Sequence, residues 1–500
     1  MASDTPKGLT SSSRLTNSAL WSLTANLLPL AVAFVCIPIL IDRVGVERFG
    51  VLALVWALIG YASLFDLGLG RALTKVVAER IAQSDSPPHA VIWTGLGLSA
   101  AVGVLGALLL WAITPWLAGS GLRIDEGLQG EAVAGFRLVA LAVPLVTLTV
   151  GLRGIFEAHQ RFRTVALVEV LAGMLNFLGP LAAVAYSTSI PALVAALVAV
   201  RGLSMIAYTA RLSGVVPGLS TRGPERGEAG LLLRLGSWMS VDNLVGPVMD
   251  YLDRFIVGGM LSIGAVTFYA TPFDAVMRMR RIPGAVTAVL FPALATTLAT
   301  DRARAESIYS GGLRSVVILL AAPLMIVALF ARELLSLWLG TEFGDRSEAV
   351  VQWLAVGLLV NAMALVPHAA LQAAGRPDVI ARLHVLELPV FLLAVWYLVS
   401  TSGIVGAAIA WTLRASLDAL ILFYLCARLV GLPTRLPPRL LTPCVFSLVF
   451  VGLAPTLEAL VAKVAYAVLG LALMGVLVLR LRWLGARPLE VVRAALRPGR

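Results

Sequence analysis

The sequence predicts an all-α protein that crosses a membrane many times, and three observations carry this prediction. Of its 500 residues, 59% are hydrophobic and 13% are charged, against a charged share of about 25% in soluble domains. The mean hydropathy is +0.91. Apolar runs long enough to span a bilayer recur along almost the whole chain, whereas an outer-membrane barrel would show alternating strands of about ten residues.

These apolar runs predict about 14 transmembrane helices, arranged as two six-helix lobes followed by two C-terminal helices. The first run is too long for the core of a signal peptide, so it is expected to stay as the first helix. The predicted spans are Asn17–Ile41, Phe49–Leu69, Ala90–Ile113, Gly135–Phe156, Thr164–Tyr186, Ile190–Ala210, Leu231–Val257, Ala265–Leu290, Ile308–Phe330, Ala349–Leu371, Val379–Val399, Ile404–Leu429, Leu440–Leu457 and Leu460–Leu479.

The basic residues between these spans predict the orientation of the chain. If the N-terminus is cytoplasmic, most of these lysines and arginines fall in cytoplasmic segments, and the opposite side holds only Arg43, Arg48, Arg123, Arg332, Arg346 and Lys463. The positive-inside rule therefore predicts a multi-pass protein of the cytoplasmic (inner) membrane with both termini in the cytoplasm. The net charge of +11 thus indicates membrane orientation, and no nucleic-acid partner is expected.

The predicted helices divide the chain into four parts. Residues 1–210 form an N-terminal lobe of helices 1–6, and 211–230 form a cytoplasmic linker rich in Gly, Pro and charged residues. Residues 231–430 form a C-terminal lobe of helices 7–12. Residues 431–500 contain helices 13–14 and a basic cytoplasmic tail, which is expected to lie against anionic lipid.

Charged side chains inside apolar spans are the candidate functional residues, because such groups normally face a bundle interior or a watery cavity. Asp274, Arg278 and Arg281 lie at i, i+4 and i+7 and share one face of a predicted helix. Arginine holds phosphate oxygens through two parallel hydrogen bonds, so these residues are candidates for binding a phosphorylated substrate. The alternative is that the arginines anchor the helix at the cytoplasmic interface, with Asp274 paired to Arg278.

The preceding predicted helix carries three aspartates at i, i+8 and i+11, which again places them on one face. Asp242 and Asp250 are candidates for contacts with a substrate or a coupling ion. Asp253 is followed directly by Arg254, and this pair is interpreted either as part of a gate or as a cap at the end of the helix.

Four further charged residues lie inside predicted spans or at their ends. Asp66 ends a span close to Arg71 and is interpreted as an inner-gate salt bridge. Glu169 and Glu387 are candidates for ion coupling, because a buried carboxylate can titrate near neutral pH.

The sequence indicates neither an enzyme nor a metalloprotein. It contains no GxxxxGK[ST] phosphate loop and no GxSxG motif, and its histidines and cysteines have no metal-binding spacing. No cofactor or metal is therefore expected. Arg414 and Asp418, which lie at i and i+4, are expected to pair with each other.

Two stretches resemble the polysaccharide flippases of the multidrug, oligosaccharidyl-lipid and polysaccharide exporter superfamily. The first, 38–79, contains a Gly-x-x-x-Phe-Gly turn at Gly45 and the sequence Leu-Phe-Asp-Leu-Gly-Leu-Gly at 64–70. The second, 253–295, contains Asp-Arg before a glycine turn that leads to Tyr269. The order of these motifs and the fourteen-helix frame agree with the family over essentially the full length.

The resemblance implies a flippase that moves a polyprenyl-pyrophosphate-linked oligosaccharide from the cytoplasmic to the outer leaflet by alternating access. It implies two lobes around a cavity, where the arginines would meet the pyrophosphate and the aspartates, Asn243 and Tyr269 would meet sugar hydroxyls. Glycan polymerases or assembly proteins are conceivable partners. The alternatives are a cation-coupled drug antiporter of the same superfamily and a peptidoglycan-precursor flippase. A resemblance to peptidoglycan-precursor flippases would imply arginines in the first two helices, and the corresponding spans here contain none.

Overall fold

The computed structural model describes residues 12–62, 66, 68–83, 88–218, 226–432, 445–446, 449–450, 452–453 and 459–480. At helical positions 12–27, 61–62, 226, 235–247, 250 and 478–480 it describes the backbone alone. The described residues are almost entirely helical, and their contacts divide the chain into two compact units. One unit is Ala19–Thr267, and the other is Phe268–Arg500 together with Met1–Ser18.

The helices follow one another with short connections. The first nine are α1 (Ser12–Val44), α2 (Val46–Ala62), α3 (Leu69–Gln83), α4 (His89–Trp116), α5 (Glu126–Ala158), α6 (Phe162–Val184), α7 (Ile190–Leu212), α8 (Arg226–Met260) and α9 (Ile263–Met277). The remaining helices are α10 (Arg281–Thr297), α11 (Arg302–Leu329), α12 (Ala331–Leu339), α13 (Thr341–Ala373), α14 (Pro377–Leu425) and α15 (Leu460–Arg480). A turn of 3₁₀ helix, Arg278–Arg280, joins α9 to α10.

The predicted all-α, multi-pass fold is confirmed. By length and apolar composition, eight helices in the described part of the chain can span a membrane: His89–Gly121, Glu126–Ala158, Phe162–Val184, Ile190–Leu212, Arg302–Leu329, Thr341–Ala373, Pro377–Val430 and Leu460–Leu477. The predicted span Leu440–Leu457 and the basic tail lie mostly outside the described residues. The count of about 14 spans stays a prediction.

The two predicted spans Val379–Val399 and Ile404–Leu429 form one element, α14, which folds back on itself at Gly403. Gly403 has φ 59° and ψ −141°, a conformation that glycine adopts without the steric penalty of a Cβ atom. A side chain at Gly406 would overlap the carbonyl group of Leu398, so the chain doubles back closely. The residues 377–402 and 404–425 are called here the first and second arms of α14.

In the unit Ala19–Thr267, α5 is the central helix and packs against α2, α3, α4, α6 and α7. Small residues bring these helices close together, as is common between membrane helices. A methyl group added at Gly154 would lie 2.7 Å from the carbonyl oxygen of Gly70, where α5 crosses α3. Phe156 and Tyr208 fill the same core with ring centroids 5.3 Å apart.

In the unit that begins at Phe268, α13 is the central helix and packs against α10, α11, α12 and α14. Most of its apolar stretch is buried. Two hydroxyl groups fix its neighbours, because Ser347 Oγ donates to the carbonyl oxygen of Phe268 at 2.7 Å and Thr412 Oγ1 donates to that of Trp353 at 2.8 Å.

The helix that follows the predicted linker, α8, packs against α2, α3 and α4 within the unit Ala19–Thr267. Part of the linker, residues 219–225, lies outside the described residues. The lobes 1–210 and 231–430 that the helix count suggests stay a prediction.

Candidate functional site

The arginine cluster selected from the sequence lies at a break between two helices. Arg278–Arg280 form the 3₁₀ turn, and the N–H of Arg281 donates to the carbonyl oxygen of Arg278, three residues earlier. Pro283 has no N–H to offer the carbonyl oxygen of Met279, and its ring crowds the preceding turn. This local chemistry accounts for a tight turn inside a stretch that the sequence predicts as one continuous helix.

The turn gives the neighbouring charges different environments. Arg278 is half-buried and interacts electrostatically with Asp274, one helical turn earlier. Arg281 is exposed and begins α10, where the helix dipole adds positive potential. A half-buried guanidinium close to an exposed one is suited to an anion with several oxygen atoms, such as a phosphate group.

The aspartates predicted on the preceding helix are partly described. Asp253 and Arg254 are fully buried in α8, and Asp253 Oδ1 accepts a hydrogen bond of 2.8 Å from the backbone N–H of Arg254. The Arg254 guanidinium lies 4.9 Å from the ring centroid of Tyr251. The side chains of three predicted substrate-binding residues lie outside the described part, although their backbone belongs to α8: Asp242, Asn243 and Asp250.

Tyr269 lies in a row of aromatic side chains in the unit that begins at Phe268. It is fully buried, and its ring centroid is 5.5 Å from that of Phe273. Phe273 in turn meets the ring of Trp411 edge-on at 5.9 Å. These contacts place Tyr269 in a packed environment, and its predicted role in sugar binding stays a prediction.

Asp66 holds the beginning of α3. Its Oδ2 accepts a hydrogen bond of 2.9 Å from the backbone N–H of Gly70, as helix-capping aspartates do. Asp66 is 5% exposed, while Arg71, which interacts with it electrostatically, is exposed. The proposed gating role of this pair stays a prediction.

The two carboxylates predicted for ion coupling differ strongly in environment. Glu169 is exposed and forms an ion pair of 3.4 Å with Arg153. Glu387 is 4% exposed, and neither of its carboxylate oxygens has a hydrogen-bond partner among the described residues.

Glu387 is part of a cluster that joins the two arms of α14. His384 Nε2 lies 3.6 Å from Asp418 Oδ1. One polar atom from each of His384, Glu387 and Asp418 lies within 4.8 Å of the other two. The sequence predicts a pair of Arg414 with Asp418, and the structure brings His384 from the other arm to Asp418.

Comparison with known proteins decides the family. The family model described as "Polysaccharide biosynthesis protein" matches residues 44–348, more than half of the chain. The chain belongs to this family. The match contains the arginine turn, α8 and the capped start of α3, whereas the cluster on α14 lies beyond it.

Two relatives of this polysaccharide biosynthesis protein cover most of its length. A candidate O-antigen transporter of Shigella flexneri is 29% identical over 417 residues, which is 82% of this chain and 97% of the relative. The flippase candidate AglR of Haloferax volcanii is 26% identical over 416 residues, which is 82% of both chains.

Solved structures with the same fold are transporters. An inward-facing multidrug resistance transporter of the MATE family, within the MOP superfamily, matches with a TM-score of 0.70 and 16% identity, over 85% of this chain and 96% of that one. The lipid II flippase MurJ in an inward closed conformation matches with a TM-score of 0.68 and 10% identity, over 92% and 98% of the two chains. At these identities the likeness shows the fold alone.

Two further arginines of this family member are absent from the predicted site. The Arg137 guanidinium lies 5.2 Å from the ring centroid of Trp111, and Arg201 Nη2 donates to Asn176 Oδ1 at 3.0 Å. Arg137 belongs to α5 and Arg201 belongs to α7, and both helices can span a membrane. The signal that could have selected them is the same one that selected Arg278, namely a guanidinium inside an apolar span.

Proposed function

We propose that this protein is a flippase that moves a polyprenyl-pyrophosphate-linked oligosaccharide, a polysaccharide repeat unit, across the membrane. Membership in the polysaccharide biosynthesis family supports this proposal, as do relatives that match more than four-fifths of this chain and are described as a candidate O-antigen transporter and candidate flippases. The fold shared with a multidrug transporter and a lipid II flippase supports a transport mechanism over an enzymatic one.

The single observation that carries the substrate class is the arginine turn. Arg278 is half-buried, and the charges of Asp274 and Arg281 both act on its guanidinium, so two cationic groups lie close together at one short turn. Placing a guanidinium at membrane depth costs free energy unless it meets an anion or water. A pyrophosphate head group supplies such an anion and matches the planar geometry of arginine.

The proposed mechanism is alternating access between two lobes. The polar head group enters the cavity while the lipid tail stays in the bilayer, and the sugars meet Asp242, Asn243, Asp250 and Tyr269. Asp66 with Arg71, and Asp253 with Arg254, are proposed to stabilise the closed ends of the path. The positive-inside pattern supports an inner-membrane location with both termini in the cytoplasm. Polymerases and assembly proteins that consume the flipped glycan are proposed partners.

The test is the leaflet distribution of the lipid-linked oligosaccharide in cells depleted of this protein. We expect accumulation on the cytoplasmic leaflet, reversed when the wild-type chain is expressed again. Normal sidedness together with new sensitivity to cationic compounds would overturn the flippase proposal and favour a drug antiporter.

The role of the arginine turn is tested in the same cells with Arg278→Ala. A hydrogen bond to a charged group contributes about 1.5–3 kcal/mol, so we expect transport to fall roughly 10- to 100-fold. Arg278→Lys keeps the charge without the planar fork and should retain an intermediate rate. Arg314→Ala is the matched control, because Arg314 is also half-buried and its Nε donates to the carbonyl oxygen of Ser310. Equal losses for Arg278→Ala and Arg314→Ala would contradict the head-group assignment.

A further inference from the structure

The cluster on α14 combines buried acidic groups from two arms of one helical hairpin. Glu387 is 4% exposed and Asp418 is 6% exposed. Among the described residues, no hydrogen-bond partner meets either oxygen of Glu387 or Oδ1 of Asp418. Buried polar atoms in native proteins nearly always have a partner, so this group of oxygens calls for a ligand.

The depth of the cluster makes its charge unfavourable. Glu387 lies five residues after the exposed Arg382, which corresponds to roughly 7.5 Å along the helix axis, in the apolar part of the first arm of α14. Around it, the surface of α14 that faces outward is apolar and includes Leu386, Val390 and Leu393. Polar atoms of the two carboxylates lie within 4.8 Å of each other, so their negative charges repel when both are present.

A count of formal charges points to a monovalent ligand. Glu387 and Asp418 contribute two negative charges when ionised, and the guanidinium of Arg414, which interacts electrostatically with Glu387, contributes one positive charge. With His384 neutral, one negative charge remains, which one monovalent cation balances. Of the monovalent cations, a proton needs no set of oxygen ligands beyond the two carboxylates. A divalent cation would leave an excess positive charge beside Arg414. Hard cations such as Ca²⁺ and Mg²⁺ take oxygen ligands, whereas the imidazole of His384 offers nitrogen.

The surrounding elements add one more titratable group. From α13, His368 stacks on His384 with ring centroids 6.3 Å apart and an angle of 17° between the rings. From the second arm of α14, Arg414 also lies 5.4 Å from the ring centroid of Phe391. The stacked imidazoles lie on the side of Glu387 that leads towards the start of α14, and imidazoles relay protons near neutral pH.

We propose that His384, Glu387 and Asp418 form a proton-exchange site that couples transport to a proton gradient. This inference rests on the proposed flippase function for its coupling, although proton binding itself does not depend on it. One proton is held between the two carboxylates and is exchanged with water through the imidazole of His384. With the proton bound the site is neutral, and without it the site carries one negative charge. The charged form is less stable in an apolar environment, so the two forms favour different states of the transport cycle.

The first test is infrared difference spectroscopy of the purified full-length protein in lipid nanodiscs, recorded between acidic and alkaline pH. We expect a C=O stretching band of a protonated carboxyl group that disappears in Glu387→Gln and titrates at a different pH in Asp418→Asn. Glu342→Gln is the matched control, because Glu342 is an exposed carboxylate paired with Arg346 at 3.0 Å, and it should leave the band unchanged. A band that is unaffected by Glu387→Gln, or that appears only after treatment with a metal chelator, would overturn the proposal.

The second test separates this inference from the proposed function. In proteoliposomes that contain the lipid-linked oligosaccharide, an imposed proton gradient should change the flipping rate of the wild-type protein several-fold and leave that of Glu387→Gln unchanged. Flipping that proceeds in the wild type without any response to the gradient would refute the coupling and leave the flippase function standing. Absence of flipping under every gradient, with the infrared band of Glu387 intact, would refute the flippase function and leave the proton site standing.

Discussion

The crossing of α5 over α3 offers a direct test of the packing in the unit Ala19–Thr267. In Gly154→Ala, the new methyl group would lie 2.6 Å from Thr74 Oγ1 and 2.7 Å from the carbonyl oxygen of Gly70. Thr74 Oγ1 already donates to that carbonyl oxygen at 2.9 Å, so the methyl group would enter an occupied space. The backbone N–H of Gly70 also donates a hydrogen bond to Asp66 Oδ2.

The magnitude follows from the distances. An ordinary Cβ contact begins at 3.4 Å, so the backbone of α3 would have to retreat by about 0.7 Å. Overpacking of this kind costs about 1–3 kcal/mol. Replacing glycine by alanine within a helix returns up to about 1 kcal/mol. We therefore expect Gly154→Ala to lower the free energy of unfolding by up to about 2 kcal/mol.

The measurement is equilibrium unfolding in mixed micelles, with Gly97→Ala as the matched control. Gly97 lies in α4 of the same unit, and a methyl group there would meet no atom within 4 Å. Its substitution should leave stability unchanged or raise it slightly, because only the gain in helix propensity remains. If both variants are equally stable, the close approach of α3 and α5 at Gly154 is incorrect.

Two further predictions concern charged groups. Lys463 is 3% exposed, and its Nζ lies 2.8 Å from Glu333 Oε1. Lys463→Met should lower the free energy of unfolding by about 1 kcal/mol. This is less than the cost of breaking a fully buried pair, because Glu333 remains partly exposed. Arg346→Met removes a largely exposed ion pair and should change the free energy of unfolding by less than about 0.5 kcal/mol. Equal effects of Lys463→Met and Arg346→Met would contradict this prediction. Glu47 is exposed, and partial desolvation of its carboxyl group, followed by the hydrogen bond and charge of Asp125, raises its pKa. Stability should therefore fall as pH rises through this raised pKa, and Glu47→Gln should flatten that fall in a pH series of unfolding curves.

The sequence predicts most helices because their apolar runs are long and largely free of charge. The predicted span Ile190–Ala210 lies within α7, whose observed bounds are Ile190–Leu212. The break at Arg278–Arg280 was not predicted, because the stretch from Ala265 to Leu290 keeps a helical pattern on both sides. Its cause is Pro283, and a single proline inside an apolar run does not by itself distinguish a kink from a change of helix type.

The candidate site was predictable only residue by residue. Glu387 could be identified from the sequence because a carboxylate inside an apolar helix costs free energy and is therefore rare. Its association with Asp418 was not, since i, i+4 spacing favours a pair of Asp418 with Arg414. The fold-back at Gly403 brings His384 to Asp418 across a separation of 34 residues in the chain, and no local rule encodes that meeting. The side-chain environments of Asp242 and Asp250 stay predictions.

The tight reversal at Gly403 makes the length of one connection part of the chemistry of the site. Because the second arm is helical from the reversal onward, a residue inserted between Gly403 and Asp418 would rotate Asp418 by about 100° about the axis of that arm and advance it by about 1.5 Å. Asp418 would then face away from His384 although neither side chain had changed. The number of residues between the reversal and Asp418 therefore matters to the cluster as much as the identity of its side chains.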